Sequence, residues 1–213
     1  ARLKGQVITI ALVVACGIAT FVTMVSAYGS LRFSQLAYYE QARFPEVFAS
    51  VRRAPRSLEA RIAEIPGVAV VETRVVEEVS LDGPKLAEPA IARMISVPHD
   101  HPQLLGKLTL RLGRMLDPGR RDEALVNEAF AKARKLGPGD TVAAIVNGRR
   151  QVFRIVGIAL SPEYIFAFRA GDAIPDDTRF GILWVDRDAL SAAFDMDGAF
   201  NDVVIGLAPG SQP

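Results

Sequence analysis

The sequence predicts an α+β protein: one membrane-spanning helix with a stalk, followed by mixed sheets that carry short helices. Three observations predict it. An uncharged, apolar run covers residues 5–31; β-branched runs with interleaved polar side chains recur at 68–81, 90–97, 181–185 and 202–207; and short helical patterns with turn residues separate those runs. The implied organisation is a flank and membrane helix over residues 1–30, a stalk helix region over 31–53 and an outer core domain over 54–213.

The first element is set by length. A helix rises about 1.5 Å per residue, so ~20 apolar residues cross a ~30 Å hydrocarbon core, and residues 7–28 suffice. Arg2 and Lys4 form a basic flank with no acidic residue beside it, which by the positive-inside bias puts the N-terminus in the cytoplasm and residues 29–213 outside it, with Tyr28 as an interfacial anchor. Ala11, Ala15, Ala19 and Thr23 recur every fourth position and give the helix a small-residue face. A cleaved signal peptide is the alternative, because Val25, Ser26 and Ala27 suit a cleavage site, although the apolar run is longer than the usual ~7 to 15 residues. The chain opens on alanine and is read as a fragment or a processed form.

Leucines and aromatics at helical intervals continue the helix into residues 31–53, where Pro45 ends or bends it. Ser57 is placed to cap a short amphipathic helix carrying Leu58, Ile62 and Ile65, closed by Pro66 and Gly67. Residues 68–81 read as one long strand, bulged where the alternation slips, with a turn at Asp82-Gly83-Pro84. Residues 90–97 form a strand that Pro98 ends, and leucines crowd 104–116. In 123–160, Ala124-Leu125-Val126 is a short strand, Asn127 caps a helix, and Gly137 to Asp140 stop it. Two β-rich runs then meet at Asn147-Gly148, whose positive φ angles suit a type I′ hairpin, and Gly157 marks a close backbone approach.

The aromatics Tyr164, Phe166 and Phe168 alternate at spacing two. Such a pattern is either a strand face packed on the core or an exposed surface for a partner, and these three residues are the candidate partner contacts. A strand at 181–185, a helix across 187–194 and a strand at 202–207 complete the chain.

Chemistry is sparse. The formal net charge is +1, and setting Arg2 and Lys4 aside leaves 23 basic residues against 24 acidic ones, so the outer portion offers no basic face for nucleic acid. The one cysteine, Cys16, lies in the membrane segment, so the outer domain relies on its core rather than a disulfide. No G-x-S-x-G elbow, H-E-x-x-H, C-x-x-C or phosphate-cradling G-x-x-x-x-G-K-[ST] loop occurs. Glu77, Glu78, Asp176 and Asp177 are sequence neighbours whose side chains point apart. His99 and His101 flank Asp100 in a loop and amount to half of a zinc site; Asp195-Met196-Asp197-Gly198 lacks the ligands of a calcium loop and reads as a turn. No catalytic, cofactor-binding or metal residue is assigned. A metal-dependent hydrolase built on the two histidines is a reading that metal analysis would decide.

The basic flank before a membrane helix, then Leu112-Gly113-Arg114, Glu123 to Glu128 (EALVNE), Leu136 to Asp140 (LGPGD), Asn147-Gly148 and Phe153 to Ile158 (FRIVGI), resembles the FtsX/MacB/LolC type of ABC transporter permease. The resemblance is to the MacB-like periplasmic core domain inserted after the first membrane helix, and it covers nearly the whole chain. It implies an inner-membrane protein with a periplasmic domain and a mechanical, non-enzymatic role. In that role a separate cytoplasmic ABC ATPase subunit uses the ATP, and the permease itself holds no cofactor. It also implies a periplasmic protein or lipoprotein as partner, pairing of permeases into a homodimer or heterodimer, and further membrane helices after residue 213. A secreted binding or scaffold module with a cleaved signal peptide is the alternative of another class.

Overall fold

The computed structural model describes residues 2–82, 90–165, 167 and 176–211. The chain divides into two compact units, Ala1–Gln41 and Ala42–Pro213. The first is one helix, α1 (Arg2–Gln41). Forty residues at about 1.5 Å each make a rod of ~60 Å, longer than a bilayer core. Inside it the hydroxyls of Thr9, Thr20 and Thr23 donate to the carbonyls of Gly5, Cys16 and Ala19 at 3.0, 2.9 and 2.8 Å, so these three hydroxyls are satisfied within the helix itself. Among the described residues it is the one helix long and apolar enough to cross a membrane.

The expected stalk over 31–53 is divided. Helix persists to Gln41, Arg43 turns into positive φ, and residues 47–53 are extended, belonging to β1 (Val47–Pro55). Helical spacing of apolar residues stops at Pro45, and the segment beyond it, VFASVRRAP, gains its hydrogen bonds from a strand near the other end of the chain.

After α2 (Leu58–Ala63), the run expected as one strand is two: β2 (Val68–Arg74) and β3 (Val76–Asp82). They lie in different sheets. Val75, fully buried, is the switch, and both its backbone groups are taken by Ser96, whose Oγ accepts from Val75 N and whose N–H donates to Val75 O, each at 2.9 Å. The remaining elements are β4 (Ala90–Val97), β5 (Thr109–Gly113), β6 (Glu123–Asn127), α3 (Glu128–Arg134), β7 (Thr141–Val146), β8 (Arg149–Leu160), β9 (Phe180–Asp186), α4 (Arg187–Ala193) and β10 (Ala199–Leu207). The turn expected at Asp82-Gly83-Pro84 extends outside the described residues.

One sheet has the order β1-β10-β2, all antiparallel, with α2 lying on β2; Ala54, Val71, Phe200 and Val203 form its core with Leu58 and Ile62. The other has the order β5-β8-β6-β9-β4-β3-β7 and closes, because the first half of the long β8 pairs with β7 while its second half pairs with β6 and β5. The hairpin at Asn147 (φ 47°) and Gly148 (φ 75°) makes that closure, in the type I′ conformation expected.

β6 and β9 are buried at every position, as the apolar stretches 124–126 and 180–185 within them require in a sheet covered on both faces. Alternate residues of β9 therefore feed two cores: Leu183 and Val185 join Met94, Phe130 and Phe153, while Ile182 and Trp184 join Ile95, Leu125 and Val156. Gly157 is where the sheet tolerates nothing larger, since a Cβ there would stand 2.4 Å from the carbonyl oxygen of Arg114.

Candidate functional site

The two sheets of the outer unit face each other across a cleft of about 500 Å³. Its walls come from β1 (Ser50, Val51), β3 (Glu77, Glu78), β4 (Arg93), β10 (Asn201, Asp202) and Tyr164. The cleft arises from an interruption in pairing. Ser50 faces Asp202 and Ala54 faces Phe200, so residues 51–53 of β1 bulge opposite Asn201. The Asn201 side chain crosses to the other sheet instead: Oδ1 accepts from Val76 N at 2.8 Å, and Nδ2 donates to Val76 O at 2.9 Å and Glu77 Oε1 at 3.0 Å.

Beneath Asp202 lies a buried ionic group. Arg74, with 4 % of its side chain exposed, donates Nη1 to both carboxylate oxygens of Glu163 at 2.9 and 2.8 Å, and Nε to Asp202 Oδ1 at 2.8 Å. Burial alone would lower the Arg74 pKa. Glu163 and then Asp202 outweigh it and hold the guanidinium above its ordinary range. Glu163 is delivered by a 3-10 turn, Pro162–Tyr164, whose first amides are capped by Ser161 Oγ accepting from Glu163 N at 3.2 Å.

That turn decides the fate of the alternating aromatics. Tyr164 is not on a strand; it is half-buried, edge-on to Trp184 with ring centroids 6.5 Å apart, and packs on the core cluster around Trp184 while lining the cleft. Burial raises its phenol pKa. Phe166 and Phe168 lie outside the described residues.

Across the cleft, Arg93 and its cross-strand neighbour Glu78 pair at 2.9 Å, and the guanidinium stands 5.6 Å from the centroid of Phe180. Glu77 is satisfied by Asn201, and burial raises its pKa. Walls and floor together thus hold the carboxylates of Glu77, Glu78, Glu163 and Asp202 against the guanidiniums of Arg74 and Arg93. The surplus negative charge favours a basic group as visitor.

Elsewhere, Glu123, the first residue of the EALVNE stretch, is a buried charge. Its carboxylate takes Arg114 through both guanidinium nitrogens at 2.5 and 2.9 Å, Arg154 at 2.9 Å and the N–H of Asp117 at 3.2 Å. The Arg114 hydrogen bond foremost holds its pKa down to about 2 against the opposing effect of burial. A charge within an expected strand is the available signal for Arg74, whereas Glu123 follows Arg121 and Asp122 and carries no such mark.

Asn127 begins α3 as expected, but its Oδ1 accepts from Ile182 N at 2.9 Å, tying β6 to β9 rather than capping the helix. Asp195 and Gly198, both at positive φ, make the plain turn expected, with Met196 buried. Asp176 accepts from the N–H and hydroxyl of Thr178 and closes a turn. His101 stays in its loop, Nδ1 3.0 Å from Pro102 O, whereas His99 meets Asp186 and Asp188. In the membrane flank, Arg2 begins α1 and Lys4 is exposed.

The family described as the MacB-like periplasmic core domain matches residues 7–213. No curated protein matches the chain. Similar solved structures include the extracellular domain of the noncanonic ABC-type transporter YknZ from Gram-positive bacteria, 15 % identical, with a TM-score of 0.49 over 74 % of this chain and 75 % of that one. The periplasmic region of MacB from Actinobacillus actinomycetemcomitans is 14 % identical, with a TM-score of 0.46 over 77 % and 68 %. A domain of a putative permease protein from Porphyromonas gingivalis is 13 % identical, with a TM-score of 0.43 over 81 % and 66 %.

Proposed function

Because the chain belongs to the MacB-like periplasmic core domain family, we propose that it is the first membrane helix and extracytoplasmic domain of an ABC permease subunit, non-catalytic in itself. In this reading a separate cytoplasmic ATPase hydrolyses ATP, the chain sits in the inner membrane with residues 29–213 in the periplasm, and its outer domain moves to engage a periplasmic protein or lipoprotein. The observation that carries the reading is the extent of the family match, which begins at residue 7 and so takes in the apolar helix together with the domain. The cleft with its surplus of carboxylates is the surface assigned to the partner, and Tyr164 is its aromatic contact. Pairing with a second permease, identical or not, belongs to the same proposal.

The test is mass spectrometry of what accompanies the native-length protein from detergent-solubilised host membranes. A P-loop ATPase in stoichiometric amount supports the permease. A soluble product shortened at Ala27, without an ATPase, overturns it in favour of a secreted module.

A further inference from the structure

We propose that His99, Asp186 and Asp188 form a binding site for a divalent transition-metal ion, which clips the loop after β4 to the start of α4. The site is independent of the transporter reading. It arises from topology: β4 and β9 are parallel neighbours with Val97 opposite Asp186, so both strands end on the same side of the sheet, where ligands of such sheets gather. His99 lies two residues past the end of β4, and β9 runs directly into α4, with Asp186 as its N-cap and Asp188 in its first turn. One donor atom from each of the three residues falls within 4.8 Å of the others.

His99 Nδ1 is 3.5 Å from Asp186 Oδ2, and His99 Nε2 is 3.6 Å from Asp188 Oδ2, both long for hydrogen bonds. One ring nitrogen serves one ion, so the ion would sit at the Nδ1–Asp186 edge, where bonds of about 2.0–2.2 Å leave neighbouring ligand atoms roughly 3–3.6 Å apart, with Asp188 turning in from the Nε2 side.

The charge at Asp186 points the same way. Only 2 % of its side chain is exposed, and among the described residues His99 is its sole ion-pair partner. Oδ1 accepts from Ala189 N at 3.1 Å, and Oδ2, the oxygen facing His99, has only Gly119 N at 3.4 Å. A carboxylate buried that deeply calls for positive charge, which an ion between Oδ2 and His99 Nδ1 would supply. Beside it a cavity of about 190 Å³, also walled by His101, Gln103 and Asp117, leaves room for water in the remaining coordination positions. One imidazole with two carboxylates suits a first-row transition ion such as zinc better than calcium or magnesium, which prefer all-oxygen shells.

The test uses the full chain in detergent, stripped with a chelator and titrated calorimetrically with zinc chloride and, separately, manganese chloride. Saturable binding of one ion per chain is expected. Loss of a partner behind a ligand already weakens metal sites by about 10–100-fold, so His99→Ala and Asp188→Asn should each weaken binding by at least about 10-fold, while Asp197→Asn, on the exposed turn before β10, leaves it unchanged. Circular dichroism checks the fold of each variant. Asp188, 60 % exposed, carries the test if His99→Ala unfolds the domain. Saturable binding of neither ion overturns the site, and so does binding that survives Asp188→Asn or is lost with Asp197→Asn.

Discussion

The carboxamide of Asn201 grips the backbone of Val76 at both ends, accepting from its N–H at 2.8 Å and donating to its carbonyl at 2.9 Å, and so stitches one sheet to the other. One side chain does what a neighbouring strand would do. It can because the β1 bulge leaves residues 51–53 without partners opposite Asn201. Asn201→Ala leaves a part-buried donor and acceptor unmet and should cost ~1–3 kcal/mol. Asn201→Asp should cost more at neutral pH than in acid, since it retains the acceptor, loses both donors and sets a second carboxylate against Glu77. The single tryptophan, Trp184, is buried in the outer unit, so urea unfolding of the full chain in detergent followed by its fluorescence reads both variants.

The Arg74, Glu163 and Asp202 group gives a second expectation. Removing one partner of a buried pair strands the other charge, so Glu163→Ala should destabilise by about 3–5 kcal/mol, toward the lower end because Asp202 still holds Arg74. Replacing Arg74 and Glu163 together with methionines should recover a large part of that loss. A double-mutant cycle showing no coupling between them would mean that the pair contributes nothing beyond packing.

Much of this architecture is legible in local pattern, and the part that escapes is non-local. Asn147-Gly148 announces its hairpin because only residues tolerant of positive φ fit a two-residue turn, and the apolar stretches 124–126 and 181–185 announce strands. The break at Val75 carries no such mark. Residues 68–81 are rich in β-branched side chains on both sides of it, and leaving one sheet for another is decided by Ser96, a residue of β4. β1 resembles stalk for the same reason, since its partner β10 begins at Ala199. The cleft is visible only through Tyr164, while Asn201, Arg74 and Glu163 gain their roles from residues up to 128 positions away.

The close approach at Gly157 predicts an asymmetry between two glycines. A Cβ at Gly157 meets the Arg114 carbonyl at 2.4 Å and two leucine methyls at 2.9 Å, whereas Gly148 in the hairpin has open space around it and only its φ of 75° to protect. Gly148→Ala should therefore cost about 1–2 kcal/mol, the left-handed penalty alone. Gly157→Ala should cost more, because β5 and β8 must part to admit it. Equal costs by the same fluorescence measurement would show that the backbone relaxes freely there.

Glu123 makes stability depend on acid. Its pKa falls from an ordinary value of 4.5 to about 2 in the folded chain. Between those limits the unfolded chain binds more protons, so this group's contribution is complete above pH 4.5 and is lost as pH falls through about 2. Glu123→Gln should thus be less stable than the native chain near neutrality, by ~1–2 kcal/mol given that Arg114 and Arg154 are partly solvent-screened. The difference should shrink steadily toward pH 2. A gap independent of pH would place its origin in packing rather than charge.

The last expectation concerns α1. A rod transmits displacement only while it is continuous, and α1 runs unbroken from Arg2 to Gln41 with no glycine after Gly29. Each glycine in a helix interior costs about 1 kcal/mol relative to alanine, so a Gly-Ser insertion after Phe33 softens the rod without touching the outer domain's core. If the helix couples a cytoplasmic ATPase to the periplasmic domain, the permease bearing this insertion should still assemble with that ATPase, and the complex should still hydrolyse ATP. The variant should fail to complement a deletion strain, whereas an insertion of helix-forming alanines of equal length should retain more activity. Full complementation by the Gly-Ser variant would mean that the connection needs no stiffness, and the mechanical role of residues 31–41 would have to be abandoned.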